Sequence, residues 1–288
     1  MKRDDQVSFL RRRFAARELV VAPCCYDAIS ARVIHEAGFL ATFMSGFGVA
    51  AARYGVPDNG LIGYAEMVET LRLICAANPD LAVVGDGDTG YGNAMNVRNT
   101  VIGYAQAGAA AVMIEDQLAP KRCGHMDGKV VVPIEDAIVR IRAAVDARRE
   151  SGLDIVIVAR TDARAPLGFD EALRRMHAFK AEGADLLFLE APADEAELAR
   201  FAREIDAPAM ANLVPGGKTP VLAPAALSAM GFAFAIYHQA LFGAVEAMKR
   251  AFAALASGDP EGGAPTTPFN EVKRLAGAED YAAVATRY

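Results

Sequence analysis

A short pattern of hydrophobic and polar residues recurs along the chain: an amphipathic stretch ends in a glycine, and a short apolar run follows. The stretch that ends at Gly38, for example, precedes the apolar run 39–44. A glycine just past a helix end readily takes the left-handed conformation that caps a helix, and such a run is short enough to be a buried strand. The pattern recurs at Gly108, Gly183 and Gly231. Each occurrence predicts a helix followed by a strand.

Further apolar runs extend this set to eight predicted strands. In chain order they are residues 19–21, 39–44, 82–84, 111–114, 155–158, 185–189, 209–211 and 232–236. Strands that alternate with helices form parallel sheets. Eight such units fit a closed barrel better than an open doubly wound sheet. We therefore predict an α/β fold, a (β/α)8 TIM-type barrel, over residues 1–245.

The remaining residues, 246–288, lie outside the barrel repeat. A long amphipathic helix is predicted over 241–257, and a segment rich in glycine and proline ends it. Two shorter helices are predicted near 268–276 and 279–286. We expect this C-terminal helical extension to pack on the barrel or on a neighbouring subunit.

Composition and charge exclude several classes of partner. The chain has 288 residues, 53% of them hydrophobic, and a net charge of −6, which argues against a nucleic-acid partner. The basic run Arg11-Arg12-Arg13 is most simply a solvated helix face. No 18-residue apolar run lacks charges and the N-terminus is polar, so we expect no membrane partner and no signal peptide. The cysteines Cys24, Cys25, Cys75 and Cys123 form no CxxC pair, and a reduced, cytoplasmic enzyme is the natural interpretation.

Polar residues cluster where the predicted strands end, which is where a barrel carries its catalytic groups. These strand-end residues are Ser45, Gly46, Asp86, Asp88, Glu115, Asp116, Arg160, Asp162, Glu190, Asn212 and His238. Some acids are alternatively helix N-caps, and Asp88, Asp162 and Asp194 are the strongest candidates. Carboxylates that converge on one mouth repel each other, and a hard divalent cation, Mg²⁺ or Mn²⁺, relieves that repulsion. Ion pairs with Arg160 and Lys121 are the structural alternative.

An arginine beside a hard cation indicates an anionic ligand, such as an α-keto or α-hydroxy carboxylate. Ser45, Gly46 and Asn212 would hydrogen-bond its carboxylates. Lys218 and Thr219, which follow a pair of glycines, could bind a second carboxylate. Those glycines could equally be plain turn formers, and both interpretations stay open.

The segment Lys121-Arg122-Cys123-Gly124-His125 follows the fourth predicted strand. Neighbouring cations favour the thiolate and lower the pKa of a cysteine. A cysteine tuned in this way could move a proton near neutral pH. His125 could donate a hydrogen bond to a substrate or tune Cys123.

Five motifs in one order resemble the isocitrate lyase/phosphoenolpyruvate mutase superfamily. They are Gly85-Asp86-Gly87-Asp88-Thr89-Gly90, Ile114-Glu115-Asp116-Gln117, Lys121-Arg122-Cys123-Gly124-His125, Ala159-Arg160-Thr161-Asp162 and Gly217-Lys218-Thr219-Pro220. The resemblance runs from about residue 8 to 245. Within the superfamily it is nearest to the 2-alkylmalate lyases, the group of dimethylmalate lyase and the petal death protein, and to the 2-methylisocitrate lyases.

The resemblance implies a Mg²⁺-dependent homotetramer with C-terminal helices exchanged between subunits. Its reaction would be retro-aldol (reverse Claisen) cleavage of a 2-hydroxy di- or tricarboxylate into an α-keto acid and a carboxylate. The implied metal site consists of Asp58, Asp86, Asp88 and Glu115. The implied substrate-binding residues are Ser45, Gly46, Phe47, Arg160, Asn212 and Thr219. The implied catalytic residues are Lys121, Cys123, His125 and Glu190, with Cys123 as the acid that protonates the carbanion.

The chain departs from the methylisocitrate lyase pattern at three positions. Phe43 replaces a tyrosine, Phe47 replaces a glycine, and Pro215 replaces a glutamate common to both lyase groups. These changes favour a smaller or less charged substrate. Oxaloacetate hydrolysis or decarboxylation on the same scaffold is the enzymatic alternative. A barrel retained as a binding or structural protein after the loss of catalysis is the other alternative.

Overall fold

The computed structural model describes residues 3–263 and 265–288, and eight strands alternate with helices along them. The strands are β1 Val20–Cys25, β2 Ala41–Met44, β3 Ala82–Asp86, β4 Ala111–Glu115, β5 Val156–Thr161, β6 Leu186–Leu189, β7 Ala209–Leu213 and β8 Phe234–Tyr237. The helices are α1 Arg3–Ala15, α2 Ala28–Glu36, α3 Gly46–Val49, α4 Tyr64–Ala77, α5 Ala94–Ala107, α6 Ile134–Ser151, α7 Arg164–Leu167, α8 Phe169–Ala181, α9 Glu195–Ile205, α10 Pro224–Met230, α11 Gln239–Ala256, α12 Phe269–Leu275 and α13 Ala278–Ala285. A π-helical turn, Ala50–Tyr54, continues α3.

The strands close into a barrel in which each is parallel to its neighbours, and β8 returns to β1. Val20 pairs with Phe234 at that seam, and Pro23 pairs with Tyr237. All eight predicted strands are present, with ends that differ from the predicted ones by a few residues. The prediction of a TIM-type barrel is therefore confirmed.

Two apolar layers hold the barrel together, because successive strand residues point to opposite faces. Cys24 packs in the barrel interior, whereas the next residue, Cys25, packs between the strands and the surrounding helices. The interior layer continues into α1 through Val7, Leu10 and Phe14. The ring of Phe14 meets the ring of Phe234 edge-on, 6.2 Å away. Helix α1 thus covers the N-terminal end of the barrel, and the C-terminal end is left for the site.

The long C-terminal helix α11 runs unbroken across the predicted boundary between residues 245 and 246. Helices α12 and α13 follow near their predicted positions. Large apolar side chains stay exposed along all three helices, among them Met248, Phe252, Phe269 and Tyr281. Within the described residues, no helix has both the length and the apolar character needed to cross a membrane.

Candidate active site

A cavity of about 180 Å³ lies at the C-terminal end of the barrel. Pockets for drug-sized ligands span roughly 300–1,000 Å³, so this one suits a small molecule. The predicted site residues in its wall are Ser45, Phe47, Asp58, Asp86, Cys123, His125, Arg160, Glu190 and Asn212. Residues that the sequence scatters over more than 150 positions therefore meet at one mouth.

Buried acids form the floor of this mouth. The Gly46 N–H donates to Asp86 Oδ2 (3.0 Å), and the Asp88 N–H donates to Asp86 Oδ1 (3.2 Å). Lys121 Nζ pairs with Asp58 and lies 2.7 Å from Asp88 Oδ1. A Cβ on residue 46 would lie 2.7 Å from Asp86 Oδ2, so this close backbone approach requires glycine. The structural alternative to a metal, an ion pair with Lys121, is thus present.

Negative charge nevertheless exceeds positive charge in this buried region. The carboxylates buried around the mouth are those of Asp58, Asp86, Asp88, Glu115, Asp162 and Glu190. The cations buried beside these carboxylates are Lys121, Lys129 and Arg160. Among the described residues, Glu115 Oε1 has no hydrogen-bond donor although it is buried. Both observations fit a divalent cation, because unpaired buried charge is costly.

The acids do not form a complete ligand cage on their own. Among residues 3–263 and 265–288, no three Asp, Glu, His or Cys side chains surround one point at metal-binding distance. Mg²⁺ usually keeps several waters and takes one or two carboxylates. The residues present therefore fit an ion held largely through water, and the four-residue metal set stays a prediction.

Burial shifts the pKa of two of these acids upward. Burial, opposed by Lys121 and reinforced by Asp86 and Asp58, raises the pKa of Asp88 to about 6. Burial raises the pKa of Glu115 well above its ordinary value, although Arg160 opposes the shift. A hard cation would hold both groups in the ionised form.

Arg160, in β5, organises the opposite side of the mouth. Its guanidinium binds Asp162 through two hydrogen bonds of 2.8 and 2.9 Å. It also lies 3.2 Å from Glu190 Oε2 and 3.3 Å from Glu115 Oε2. The guanidinium is oriented by these acids, so it is preorganised for a substrate carboxylate.

The segment that carries Cys123 closes over this arginine. We call residues 118–130 the cysteine loop; a β-bridge between Gln117 and Val131 pins its base. A Cβ on Gly124 would lie 2.5 Å from Arg160 Nη2 and 2.4 Å from Glu190 Oε2. The loop therefore lies directly against the Arg160–Glu190 pair, and only glycine fits there.

The expected lowering of the Cys123 pKa is wrong. Burial raises the pKa of the thiol to about 11, and the carboxylates of Asp58 and Glu190 reinforce the shift. The neighbouring cations point away, since Lys121 binds acids in the floor and Arg122 donates to Asp127 O. Cys123 is consequently a thiol, a proton donor, at neutral pH.

His125 and Asn212 belong to one hydrogen-bonded chain. The Lys218 N–H donates to His125 Nδ1 (3.1 Å), so the proton of the neutral ring is on Nε2, 3.5 Å from Glu190 Oε1. Asn212 Nδ2 donates to Glu190 Oε2 (3.2 Å), which leaves its Oδ1 to accept from His238 Nε2 (2.9 Å). His125 thus presents a donor to the cavity, and its backbone N–H bonds the Cys123 sulfur.

The similarity of this chain to known proteins shows its family. The family model described as phosphoenolpyruvate phosphomutase matches residues 10–256. The chain is 42% identical over 282 residues to 2,3-dimethylmalate lyase of Eubacterium barkeri. The matched region covers 97% of this chain and 96% of that protein. The chain belongs to the phosphoenolpyruvate mutase/isocitrate lyase superfamily. The predicted membership in this enzyme superfamily is confirmed.

Two solved structures that match this chain bear on the site. Oxaloacetate acetylhydrolase in complex with 3,3-difluorooxalacetate matches with a TM-score of 0.92 at 33% identity, over 98% of this chain and 96% of that one. Phosphonopyruvate hydrolase in complex with oxalate and Mg²⁺ matches with a TM-score of 0.86 at 31% identity, over 100% and 99% of the two chains.

The three residues predicted to set this chain apart from the methylisocitrate lyases are all apolar. Phe43, Phe47 and Pro215 all line the cavity. The ring of Phe47 stacks on Phe242 of α11, with ring centres 6.3 Å apart. The cavity therefore offers apolar contacts beside its charged and polar groups.

Some predicted roles fall outside the cavity. Thr219 is buried and donates to Pro192 O (3.0 Å), away from the cavity wall. Lys218 pairs with Asp127 of the cysteine loop, and Gly216 takes a positive φ of 71°, which favours the turn interpretation of these glycines. The motif thus holds the cysteine loop from the β7 side.

Of the three predicted helix caps, one is confirmed. Asp194 accepts from the Glu197 N–H (2.8 Å) at the start of α9. Asp88 is wrong as a cap, since Asn93 caps α5. Asp162 is also wrong, since its carboxylate is buried against Arg160 and Lys129.

Several contacts of the site were not predicted from the sequence. The His238–Asn212 bond, the Lys129–Asp162 pair and the place of Phe242 in the wall all join distant segments. Of these, only His238 gave a signal, because it directly follows a predicted strand.

Proposed function

We propose that this protein is a Mg²⁺-dependent carbon–carbon lyase that cleaves a small 2-hydroxy di- or tricarboxylate of the 2-alkylmalate or 2-methylisocitrate type. The observation that carries the proposal is the Cys123 thiol, whose burial raises its pKa to about 11. This proton donor lines the same cavity as Arg160 and Asp86. A neutral acid beside a carboxylate-binding arginine suits the protonation of a carbanion next to a carboxylate.

Asp58, Asp86, Asp88 and Glu115 would hold the Mg²⁺. When bound, the ion would polarise oxygens of the substrate as a Lewis acid and offset the local negative charge. Arg160 would bind a substrate carboxylate, and Ser45, in the cavity wall, would add a hydroxyl. His125 Nε2–H and Asn212 Nδ2–H face Glu190, which would hold both donors in place for substrate oxygens.

Cleavage requires one proton to leave the 2-hydroxyl and one to reach the carbon released. As the hydroxyl loses its proton, its oxygen forms the carbonyl of the α-keto acid and the adjacent carbon–carbon bond breaks. The bonding pair stays on the departing carbon, where the neighbouring carboxylate delocalises it. Cys123 Sγ–H then protonates that carbon, and the cysteine loop excludes water that would compete. Once the products leave, the thiolate regains a proton from solvent, which balances the proton released from the 2-hydroxyl.

The apolar lining residues Phe43, Phe47 and Pro215 favour an alkyl-substituted dicarboxylate over a tricarboxylate. A third carboxylate against Phe43, Phe47 and Pro215 would lose its hydration without gaining a hydrogen-bond donor there. An alkyl group in the same place removes apolar surface from water. We therefore expect 2-alkylmalates to give a higher kcat/KM than 2-methylisocitrate.

A substrate screen tests this proposal. Purified enzyme with Mg²⁺ is incubated with 2-alkylmalates of increasing substituent size, with malate and with 2-methylisocitrate. A coupled dehydrogenase reduces the keto product and reports the rate. Turnover of at least one 2-alkylmalate, abolished by EDTA and restored by Mg²⁺, is the expected result; no keto product from any of these acids contradicts the proposal.

Cys123→Ser separates the lyase from the second candidate, oxaloacetate hydrolysis or decarboxylation. The structural match to oxaloacetate acetylhydrolase favours that candidate, and its chemistry need not use the thiol as an acid. Lyase turnover should fall by about 10²–10⁴-fold in the variant, the usual contribution of a positioned acid, whereas decarboxylation should survive. Cys75→Ser, at a half-buried cysteine outside the cavity, is the matched control.

A further inference from the structure

A buried ion pair ties the cysteine loop to the barrel. Lys129 and Asp162 have fully buried side chains, and Lys129 Nζ lies 2.8 Å from Asp162 Oδ1. The residues on either side of the lysine, Gly128 and Val130, are exposed. The loop thus buries a second ammonium group besides that of Lys121. Unlike Lys121, Lys129 contacts none of the carboxylates of the floor, and it does not line the cavity.

Asp162 connects this lysine to the arginine of the site. Its Oδ1 accepts from both Lys129 Nζ (2.8 Å) and Arg160 Nη2 (2.9 Å), while its Oδ2 accepts from Arg160 Nε (2.8 Å). Burial alone would raise the pKa of Asp162, but Arg160 and Lys129 outweigh it and hold the pKa below its ordinary value. The carboxylate therefore stays charged between its two cations.

The same ammonium also holds the backbone beside the thiol. Lys129 Nζ donates to Gly124 O at 2.5 Å, and Gly124 directly follows Cys123. Gly124 in turn lies against Arg160 and Glu190 so closely that no Cβ fits. Lys129 thus contacts both the loop backbone next to the thiol and the carboxylate that orients the arginine.

We propose that Lys129 is a positioning residue that couples closure of the cysteine loop to the orientation of Arg160. The inference rests on the proposed function, because that function gives Arg160 the role of binding a substrate carboxylate and Cys123 the role of proton donor. When the loop closes, the ammonium completes the charge balance of Asp162 and fixes Arg160 in its bidentate geometry. When the loop opens, Asp162 loses one of its two buried cations. A carboxylate bound at Arg160 therefore favours the state in which the thiol is in the cavity.

Thiol labelling tests this coupling without any need for turnover. Cys123 alkylation by iodoacetamide is followed by mass spectrometry of its peptide, with and without oxalate plus Mg²⁺, the ligands of the phosphonopyruvate hydrolase structure. We expect oxalate plus Mg²⁺ to slow the alkylation of Cys123 at least tenfold in the wild-type enzyme. In Lys129→Met, alkylation should be at least tenfold faster and the protection should be lost.

Arg122→Met is the matched control, because it removes an exposed cation from the same loop. It should leave the rate and the protection unchanged. The proposal is overturned if Lys129→Met folds and its Cys123 shows the same alkylation rate and the same protection as in the wild-type enzyme. Where activity is measurable, kcat per folded enzyme should fall more in Lys129→Met than KM rises. The rate is divided by the folded fraction, because a loss of stability alone lowers the apparent kcat without changing KM.

A second measurement on the unmodified enzyme applies even where Lys129→Met does not fold. Acetic anhydride acetylates accessible amines, so the acetylation rate of Lys129 reports when its ion pair is open. Oxalate plus Mg²⁺ should protect Lys129 and Cys123 by the same factor. Protection of Cys123 without any change at Lys129 would show that the lysine does not move with the loop. Absence of lyase activity would count against the proposed function and leave both labelling results interpretable.

Discussion

At the scale of single residues, burial decides chemistry that neighbouring charges suggest differently. Two cations flank Cys123 in the sequence, yet burial raises its pKa to about 11. The same effect lowers the pKa of His238 to about 4, which keeps its ring neutral. In both cases the charged form would lose its hydration. The thiol is thereby kept as a proton donor, and the imidazole as a fixed hydrogen-bond donor to Asn212.

The pH dependence of thiol labelling checks the first of these effects. Alkylation needs the thiolate, which forms only as pH rises toward about 11. The alkylation rate of Cys123 should therefore still be increasing above pH 10, whereas a free cysteine peptide levels off above its ordinary pKa of about 8.5. A plateau for Cys123 by pH 9 would contradict the burial argument.

The second effect predicts a loss of stability in acid. Unfolded His238 would bind a proton near its ordinary pKa of 6.5, but the folded residue binds one only near pH 4. The stability that its neutral form confers is present above pH 6.5 and is lost as pH falls toward 4, by about 3 kcal/mol. The free energy of unfolding is measured in urea above pH 6.5 and near pH 4. Its decrease between the two pH values should be smaller in His238→Gln than in the wild-type protein, by that amount.

His35→Gln is the matched control for that measurement, because His35 lies on helix α2 away from the site. Its loss of unfolding free energy between the two pH values should equal that of the unmodified protein. An equal loss in His238→Gln would mean that the buried histidine is not a source of acid sensitivity.

At the scale of elements, the loops after β4 and β7 close the site together. His125 accepts from the Lys218 N–H, Lys218 pairs with Asp127, and a Cβ on Gly217 would lie 2.7 Å from His125 Nδ1. The ion pair is exposed and contributes little by itself. The close approach of the Gly217 backbone to the His125 ring is what brings the two loops together.

Replacing Gly124 with alanine should prevent this closure. The added methyl would lie within 2.5 Å of Arg160 Nη2 and Glu190 Oε2, so the loop must move outward. We expect kcat/KM to fall by about 10–100-fold, since small displacements in a site cost this much, while the melting temperature stays nearly constant. Gly243→Ala, which adds a methyl in open space on α11, should keep its activity. Unchanged kinetics in Gly124→Ala would contradict the closed-loop geometry.

At the scale of the whole molecule, the exposed C-terminal helices lead us to propose self-association. Phe252 is 65% exposed, Phe269 78% and Tyr281 79%, and such apolar surface usually marks an interface. We expect a homotetramer with a mass four times that of the 30.5-kDa chain, measured by multi-angle light scattering. Phe252→Glu combined with Phe269→Glu should lower that mass. Met95→Glu, at a comparably exposed apolar residue on α5, should not change it; a monomeric unmodified protein would contradict the expectation.

The sequence alone determined the barrel, because helices and buried strands leave a local pattern of apolar runs and helix-ending glycines. That pattern can be recognised in one sequence without knowledge of any tertiary contact. It also determined which residues end the strands, and in a parallel barrel all strand ends meet at one mouth. The motifs around Asp86, Cys123 and Arg160 were enough to indicate the superfamily.

Only the tertiary structure decided which groups touch and which are buried. Asp162 looks like a helix cap in sequence, but it is the shared partner of Arg160 and Lys129. Thr219 looks like a ligand for substrate, but it donates to Pro192 O. Hydrogen bonds act over about 3 Å and desolvation depends on every surrounding atom, so the pKa of a thiol or the partner of a lysine follows from residues far away in the chain.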